Sequence, residues 1–349
     1  MIDFLSYETL QAIWFVLWGL LWAVYFILDG FDLGMGTLLP FLARNDNERR
    51  VMYNAAGPFW DGNEVWLITA GGVTFAAFPK AYAVMFSALY APLLLLLFAL
   101  IFRAVSFEFR NKIDHPQWRG LWDIFQFLGN FVPALLLGVA FANLFQGIPI
   151  DVEGIYHGNL FALLNPYGLL GGLLFVGIFA LHGSLWLTIK SDGVIRDRAV
   201  NTAKIIWVVV VALAVAFLFA TKSYTDLYNN YAHIPVLWIF PILAVALLLL
   251  LRFFLSGQTP IKAFLIHAGF ILCTTFFGVL GMFPRLIPSN LDPAASITTA
   301  MAASSPLTLS LMLVVALICV PIVIGYQFWV YTMFSGKVSS EDLASDHSY

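Results

Sequence analysis

A short polar segment interrupts one of the apolar stretches of this chain: Phe59-Trp60-Asp61-Gly62-Asn63-Glu64-Val65-Trp66. An ionisable group in the hydrocarbon of a bilayer costs at least about 2.5 kcal/mol on insertion scales, so it usually has a function. Residues three or four apart lie on one helix face, which pairs Glu64 with both Asp61 and Trp60. The segment predicts a proton path or a buried ligand site. The alternative is a polar seam that joins two helices.

The composition indicates that membrane-spanning helices must position these residues. Hydrophobic residues make up 61% of the 349 and charged residues 11%, and the mean hydropathy is +0.88. About 20 apolar residues span a bilayer as a helix, and runs of this length recur along the chain. The net charge of −3 is too small to indicate an acidic or basic partner, and we expect no nucleic acid. Cys273 and Cys319 lie in apolar runs without metal-ligand spacing, so no metal site is expected.

The predicted fold is an all-α integral membrane protein with nine transmembrane helices, over residues 8–42, 51–78, 81–102, 121–146, 167–189, 203–221, 235–251, 261–283 and 307–334. All but three of the 17 lysine and arginine residues fall in one set of loops or in the tail, and the exceptions are Lys80, Lys222 and Arg285. Because positively charged loops stay in the cytoplasm, the N-terminus is predicted to lie outside and the C-terminus in the cytoplasm. The first span would serve as its own insertion signal.

A faint internal repeat predicts how the nine helices are grouped. Asp29-Gly30 in helix one is echoed by His182-Gly183 in helix five, and Gly138-Val139 in helix four by Gly278-Val279 in helix eight. A parallel repeat of this kind predicts two four-helix bundles plus a ninth helix. The units would be a first four-helix unit over 1–150, a second over 151–290, the ninth helix with its preceding external loop over 291–336, and a cytoplasmic tail over 337–349. Chance matches among small residues are the alternative.

Four acids are predicted to lie at a similar depth in the first two helices. Asp32 and Asp61 are each 11 residues from the polar hairpin 43–50, and Asp29 and Glu64 are each 14 residues from it. At 1.5 Å per residue, both pairs lie about 16–21 Å along antiparallel helices. Four ionised carboxylates would repel one another, so we expect some of them to be protonated, hydrogen-bonded or neutralised by a partner.

Three further ionisable side chains have two interpretations each. Arg103 is expected to be a cation at the cytoplasmic interface with its stem in the apolar layer, or else a partner of Asp29 or Asp32. His182 and His267 lie within predicted spans, on the cytoplasmic side. They are either hydrogen-bonded packing residues, which we favour, or the two axial ligands of a b-type haem.

These segments, together with several further motifs, resemble subunit II of cytochrome bd-type quinol oxidases, the cytochrome d ubiquinol oxidase subunit II family. The resemblance extends from the N-terminus to helix nine. It rests on Asp29-Gly30-Phe31-Asp32-Leu33-Gly34, Arg44-Asn45-Asp46, Glu48-Arg49-Arg50, the segment Phe59–Gly72, Phe102-Arg103, Trp118-Arg119, Phe131-Val132-Pro133, Gln146-Gly147 and Leu164-Asn165-Pro166-Tyr167-Gly168.

The resemblance implies a heterodimer in the cytoplasmic membrane of a bacterium or an archaeon. The partner would be a homologous subunit I that holds two b-type haems and one d-type haem, often joined by a small single-helix subunit. The complex would oxidise quinol, reduce oxygen to water and generate proton motive force. Some members of the family hold a quinone in subunit II as a structural ligand. The resemblance places no catalytic residue in this chain.

The resemblance also implies roles for individual positions. For the proton path it implies Asp61, flanked by Trp60 and Glu64, and for oxygen access it implies Trp66. For the polar organisation of helices one and two it implies Asp29, Asp32, Asn63 and Arg103.

Two other functions are compatible with the residues alone. A cation-coupled secondary transporter would show the same parallel repeat, broken helix and acids near the bilayer midplane. A purely structural scaffold subunit would show them too, but replacing its acids would leave turnover of the complex intact. A haem-bearing partner that copurifies with the chain would favour the oxidase over the transporter.

Overall fold

The computed structural model describes residues 5–338 and Leu343, and almost all of this part of the chain is helical. The α-helices follow one another as α1 (Tyr7–Leu42), α2 (Asp46–Ala56), α3 (Trp60–Ala77), α4 (Pro79–Ala88), α5 (Tyr90–Phe109), α6 (Pro116–Gln146), α7 (Leu160–Leu163), α8 (Pro166–Lys190), α9 (Gly193–Tyr224), α10 (Leu227–His233), α11 (Ile239–Phe254), α12 (Pro260–Met282), α13 (Thr299–Ala302) and α14 (Pro306–Met333). Two short strands, β1 (Arg285–Ile287) and β2 (Ile297–Thr298), pair antiparallel. The predicted all-α class is confirmed. Most of the predicted tail over 337–349 lies outside the described residues.

Eight helical segments of the described chain are long and apolar enough to cross a bilayer: α1, α5, α6, α8, α9, the segment Pro235–Phe254, α12 and α14. The remaining predicted span, 51–78, is divided in two. α2 ends at Ala56 and α3 begins at Trp60, and Pro58 between them lacks the N–H group that a continuous helix needs. The second predicted helix is longer than a bilayer requires, and this break accounts for its extra length. The count of nine spans stays a prediction.

Other helices differ from their predicted limits mainly at the ends. The third predicted helix, 81–102, comprises α4 and α5, which meet at Leu89, and α5 continues to Phe109. The sixth begins earlier, at Gly193, because the polar residues of its first turns lie in helical structure beyond the apolar run. Hydropathy detects only the apolar part of a helix, so the predicted limits left out the polar turns at these helix ends.

α1 lies at the centre of the bundle and packs against α3, α6, α8 and α12. Its crossing with α8 brings the two backbones into contact. A Cβ atom on Gly34 would lie 1.7 Å from the carbonyl oxygen of Phe179, and one on Gly183 would lie 2.4 Å from the amide nitrogen of Met35. Only glycine permits this approach, as in other close helix crossings within membranes. The crossing joins the two predicted four-helix units.

α14 lies at the edge of the bundle, and Leu309 is its one buried residue. Partly buried side chains such as Tyr331, whose ring contacts those of Phe59 and Trp186, attach it to the bundle, and polar contacts add to this packing. Near its start, the Trp14 indole donates to the Leu309 carbonyl over 3.0 Å. Beyond its end, the buried ammonium of Lys190 donates to the carbonyls of Phe334 and Gly336. A cation that binds these carbonyls also stabilises the negative end of the helix dipole.

Candidate functional site

A buried arginine joins two acids from different helices. Arg103 lies in α5 with its side chain fully buried. Its Nη1 is 2.8 Å from Oδ1 of Asp29 in α1, and its Nη2 is 2.7 Å from Oε2 of Glu64 in α3. The Asp29 side chain is fully buried, whereas that of Glu64 is 22% exposed. Three helices therefore meet at one guanidinium. Its Nη1 faces the closed interior of the bundle at Asp29, and its Nη2 faces a partly open rim at Glu64.

Arg103 is not the interfacial cation that the sequence favoured. The predicted third helix ended at Phe102, which would place Arg103 at the membrane surface. α5 instead continues to Phe109, so Arg103 lies inside the helix and has no water to reach. The second interpretation, a partner for Asp29, describes its position. We name Asp29, Asp32, Asn63, Glu64 and Arg103 the ion cluster.

The second aspartate of the ion cluster binds an amide instead of a cation. Asn63 Nδ2 donates to Asp32 Oδ2 over 2.7 Å, and the hydroxyl of Tyr331 donates to Asn63 Oδ1 over 2.8 Å. Tyr331 lies in α14, so this short chain of hydrogen bonds links α1, α3 and the outermost helix. Oδ2 of Asp29 and Oδ1 of Asp32 have no hydrogen-bond partner among the described residues. One guanidinium thus binds two of the three carboxyl groups, and each of the two aspartates keeps one oxygen without a hydrogen bond.

Asp61 lies apart from the ion cluster. α3 buries Asn63, Trp66, Ala70, Thr74 and Ala77 on one face, while Asp61, Val65, Ile68, Gly72 and Phe75 lie exposed on the opposite face. The sequence predicted a similar depth for four acids but not the direction in which each side chain faces. The break at residues 57–59 sets the rotation of α3 independently of α2, and counting residues from the hairpin cannot give that rotation. Asp29, Asp32 and Glu64 do come together.

Both tryptophans of the segment lie against neighbouring helices. The ring of Trp60 stacks on that of Phe107 in α5, with centroids 5.1 Å apart and planes 6° apart. Trp66 is buried, and its Nε1 donates to Oε1 of Gln327 in α14 over 3.1 Å. Gln327 Nε2 in turn donates to the Gly62 carbonyl over 3.1 Å. Sequence reasoning missed Gln327 and Tyr331, although isolated polar groups in an apolar helix were a usable signal.

A second polar site lies between α8 and α12. The rings of His182 and His267 are fully buried, and their Nδ1 atoms are 3.0 Å apart. Nε2 of His182 lies 3.1 Å from the carbonyl oxygen of Ile27 in α1. We name these two residues the imidazole pair. Because the rings bind each other directly, they leave no space for an iron between them, and the alternative of a haem with two histidine ligands does not fit.

An apolar cavity of about 100 Å³ lies between α6, α8, α9, α11 and α12. Phenylalanine rings from four of these helices line much of its wall, among them Phe141, Phe175, Phe217 and Phe270. Its polar lining is nearly confined to Thr274 and Thr275, whose hydroxyls donate to carbonyls of their own helix. Within the described residues, no group of three or more histidine, cysteine, aspartate or glutamate side chains is placed so that it could hold one metal ion.

The fold and the ion cluster define a multi-pass helical membrane protein that buries charged groups in its bundle. The chain belongs to the cytochrome bd terminal oxidase subunit II family, whose family model matches residues 10–334. It is 39% identical to cytochrome bd-I ubiquinol oxidase subunit 2 of Escherichia coli (strain K12), over 97% of this chain and 98% of that protein. It is 36% identical to cytochrome bd ubiquinol oxidase subunit 2 of Bacillus subtilis (strain 168), over 96% of this chain and 98% of that protein.

A solved structure shares the fold. The bd oxidase from Geobacillus thermodenitrificans has a chain that matches with a TM-score of 0.77 over 93% of this chain and 98% of that one, at 16% identity. The family membership that the sequence motifs implied is confirmed. The alternative of a secondary transporter finds no support in these comparisons.

Proposed function

We propose that this chain is the subunit II of a quinol oxidase complex, in which it accompanies a haem-bearing subunit I. The complex would oxidise quinol, reduce oxygen to water and generate proton motive force. Two relatives at 36–39% identity, matched over nearly their full length, are named as ubiquinol oxidase subunits 2, which supports this function. A bacterial cytoplasmic membrane is the location that these relatives and the apolar helices support.

The haems, two of b type and one of d type, would all be held by subunit I. The only pair of buried histidines in the described chain supports this assignment, because each ring already binds the other. We also propose a small single-helix subunit in the complex and a structural quinone bound in this chain. The described chain would then supply only positioning, proton access and oxygen access.

The proposed topology has nine spans, with the N-terminus outside and the C-terminus in the cytoplasm. The ninth span is α3, whose 18 residues suffice in length although its first turn is polar. The distribution of lysine and arginine between the two sets of loops supports the orientation. The ends of α1 and α5, with the start of α3 between them, would then face the cytoplasm.

The observation that carries the proposed proton path is the position of Glu64. It lies at the rim of the bundle, one helical turn from the exposed Asp61, and it binds Arg103, which also binds the buried Asp29. A proton that reaches Asp61 on the outer face of α3 could pass to Glu64 and so to the ion cluster. Trp60 covers the cytoplasmic end of this route through its stack on Phe107.

Oxygen access is proposed for the side of α3 that contains Trp66. Its buried indole fixes the contact between α3 and α14 through Gln327. Oxygen is apolar and enters hydrocarbon readily, whereas protons need ionisable groups, so the two substrates would take different sides of α3. The outer face of α3 with Asp61 would then meet subunit I.

Asp61→Asn in the purified complex tests the proton path. We expect oxygen consumption to fall by about tenfold or more, since removal of a proton-transferring group typically costs at least that factor, while the haem absorption spectrum stays normal. Asp226→Asn is the matched control, because Asp226 is an exposed acid whose side chain is 68% accessible. Unchanged oxygen consumption at normal haem content would contradict the path, and a complex without haem would contradict the function.

A further inference from the structure

A groove of about 660 Å³ lies on the outer surface of the bundle, near the end of α9. Four residues of α9, spaced three or four apart and hence on one helix face, form one wall: Val215, Leu218, Phe219 and Lys222. The three apolar residues lead to the lysine, which lies two residues before the end of the helix. Phe219 is 73% exposed, so the groove is open to the surroundings of the bundle. One wall is therefore an apolar strip that ends in a cation.

The opposite wall comes from α10 and the start of the next span, through Tyr228, Ala232 and Trp238. The hydroxyl of Tyr228 donates to the carbonyl of Leu218 over 3.1 Å, which holds this wall against α9. The rings of Tyr228 and Trp238 stack, with centroids 5.9 Å apart and planes 19° apart. Tyrosine and tryptophan are enriched where a membrane meets water. The aromatic wall and the position of Lys222 near the end of α9 thus place the groove at the depth of lipid headgroups.

Two residues that line the groove have donor groups without a partner among the described residues. The ammonium of Lys222 makes neither a hydrogen bond nor an ion pair there, and the indole N–H of Trp238 has no acceptor. The nearest acid along the chain, Asp226, lies 3.8 Å from the guanidinium of Arg285 instead. A lysine at the surface of a membrane attracts anionic lipid headgroups. The molecule that fills the groove should therefore carry a negative charge at one end.

We propose that this groove binds a phospholipid with a negatively charged headgroup. An acyl chain lies along the apolar strip, and the headgroup phosphate accepts hydrogen bonds from Lys222 and Trp238. From Val215 to Lys222 the strip is about 10 Å long at 1.5 Å per residue, with its charge at one end, as in the lipid. A free phosphate ion would leave the apolar strip uncovered, and a zwitterionic lipid would bring its own cation to the same end as Lys222. The site uses no residue of the ion cluster or of the path proposed through Asp61.

A photoreactive probe in the groove tests the proposal. The complex is purified with p-benzoylphenylalanine in place of Phe219 and embedded in nanodiscs of equal amounts of phosphatidylglycerol, which is anionic, and phosphatidylcholine, which has no net charge. Both lipids carry the same acyl chains, and mass spectrometry of the cross-linked peptide compares the two products. We expect about fivefold more phosphatidylglycerol product, the factor that corresponds to about 1 kcal/mol for one cation near the membrane surface. The same probe in place of Leu173, which is 51% exposed near the start of α8 with no lysine or arginine nearby in sequence, should capture both lipids equally.

Two substitutions test whether Lys222 is the source of this preference. Lys222→Gln should reduce the ratio of the two products at Phe219 to that at Leu173, whereas Lys222→Arg should retain the preference. Equal capture of the two lipids at Phe219 would overturn the proposal, and so would a preference that survives Lys222→Gln. A cross-link to another polypeptide would show that a protein fills the groove, which would overturn it too. Oxygen consumption is not measured, so the result is independent of the function proposed for Asp61.

Discussion

The ion cluster and the imidazole pair solve the same problem in two different ways. Both bury polar side chains beside the same stretch of α1, since His182 binds the carbonyl of Ile27, two residues before Asp29. The ion cluster holds formal charges and reaches the rim of the bundle through Glu64. The imidazole pair is neutral and fully enclosed. Within this bundle, charge is kept where a route to the surface exists, and neutral hydrogen bonds are used where none does.

The two regions also differ in the free energy that it costs to bury their polar side chains. Moving a charge into the interior costs several kcal/mol even after relaxation, and a salt bridge rarely recovers all of it. Apolar side chains of similar volume in place of all three ion-pairing residues, Asp29, Glu64 and Arg103, would serve stability at least as well. The presence of charges there is therefore better explained by function than by stability. Two hydrogen-bonded neutral rings have a much smaller cost and need no such explanation.

Removal of the buried cation should have the largest effect. In Arg103→Met, Asp29 and Glu64 lose their shared partner inside the bundle, and breaking one side of a buried ion pair typically costs about 3–5 kcal/mol. We expect little assembled complex, measured by size-exclusion chromatography of detergent extracts. Arg103→Lys keeps the charge but cannot bind both acids with a planar fork, so it should recover part of the yield. If Arg103→Met assembled as well as the unmodified chain, Asp29 and Glu64 would not need the positive charge of Arg103 inside the bundle.

The two buried aspartates should differ from each other. Asp29→Asn removes a charged hydrogen bond to Arg103, which is worth about 1.5–3 kcal/mol, and leaves the buried cation with one acid fewer. Asp32→Asn removes an acid that binds no cation, and the new amide can still accept the hydrogen bond of Asn63. The melting temperature of the purified complex should therefore fall more for Asp29→Asn. Equal losses would show that the guanidinium does not distinguish the two acids.

The sequence predicted the class of the fold and most of the polar positions. It did not predict the rotation of each helix about its axis, which decides which way those side chains face. Hydropathy located eight of the spans because each contains an apolar run long enough to cross a bilayer. It could not give the rotation of the second after the break at Pro58, where Asp61 faces outward while Asn63 faces Asp32. Counting from the hairpin paired Asp29 correctly with Glu64 in depth. The partners supplied by distant helices, Tyr331 and Gln327, depend on where α14 packs, and no local pattern encodes that.

Breaking the imidazole pair should have a smaller effect than breaking the ion cluster. In His182→Leu, the Nδ1–H group of His267 loses its acceptor, and one unsatisfied neutral group costs about 1–3 kcal/mol. We expect a moderate fall in the melting temperature that does not depend on salt, since no charge is exposed or unpaired. His115→Leu, in the exposed turn before α6, is the control. A loss as large as that of Arg103→Met would mean that the pair carries charge.

The smallest effect is expected at Asp46, which makes the same kind of contact as Asp29 but outside the membrane-spanning segments. Arg110 Nη2 lies 2.7 Å from Asp46 Oδ1, as close as the buried pair, but the Asp46 side chain is 39% exposed. Burial of the carboxyl would raise its pKa, but the hydrogen bond and charge of Arg110, with the charge of Arg119, outweigh burial and lower the pKa below its ordinary value. The unfolded chain binds this proton at about pH 3.9. The pair therefore stabilises the fold fully above that pH, and the contribution disappears as the pH falls through the lower folded value.

Asp46→Asn should accordingly cost no more than about 1 kcal/mol at pH 7, because water and salt screen an exposed pair. Melting temperatures of the variant and the unmodified complex should converge as the pH is lowered below 4, and also as salt is added at neutral pH. The contact distances at Asp46 and Asp29 are nearly equal, so geometry cannot account for a difference between the two substitutions. If Asp46→Asn cost as much as Asp29→Asn, burial would not be what sets the strength of these pairs. Burial would then not explain why the ion cluster differs from ion pairs at the surface of the bundle.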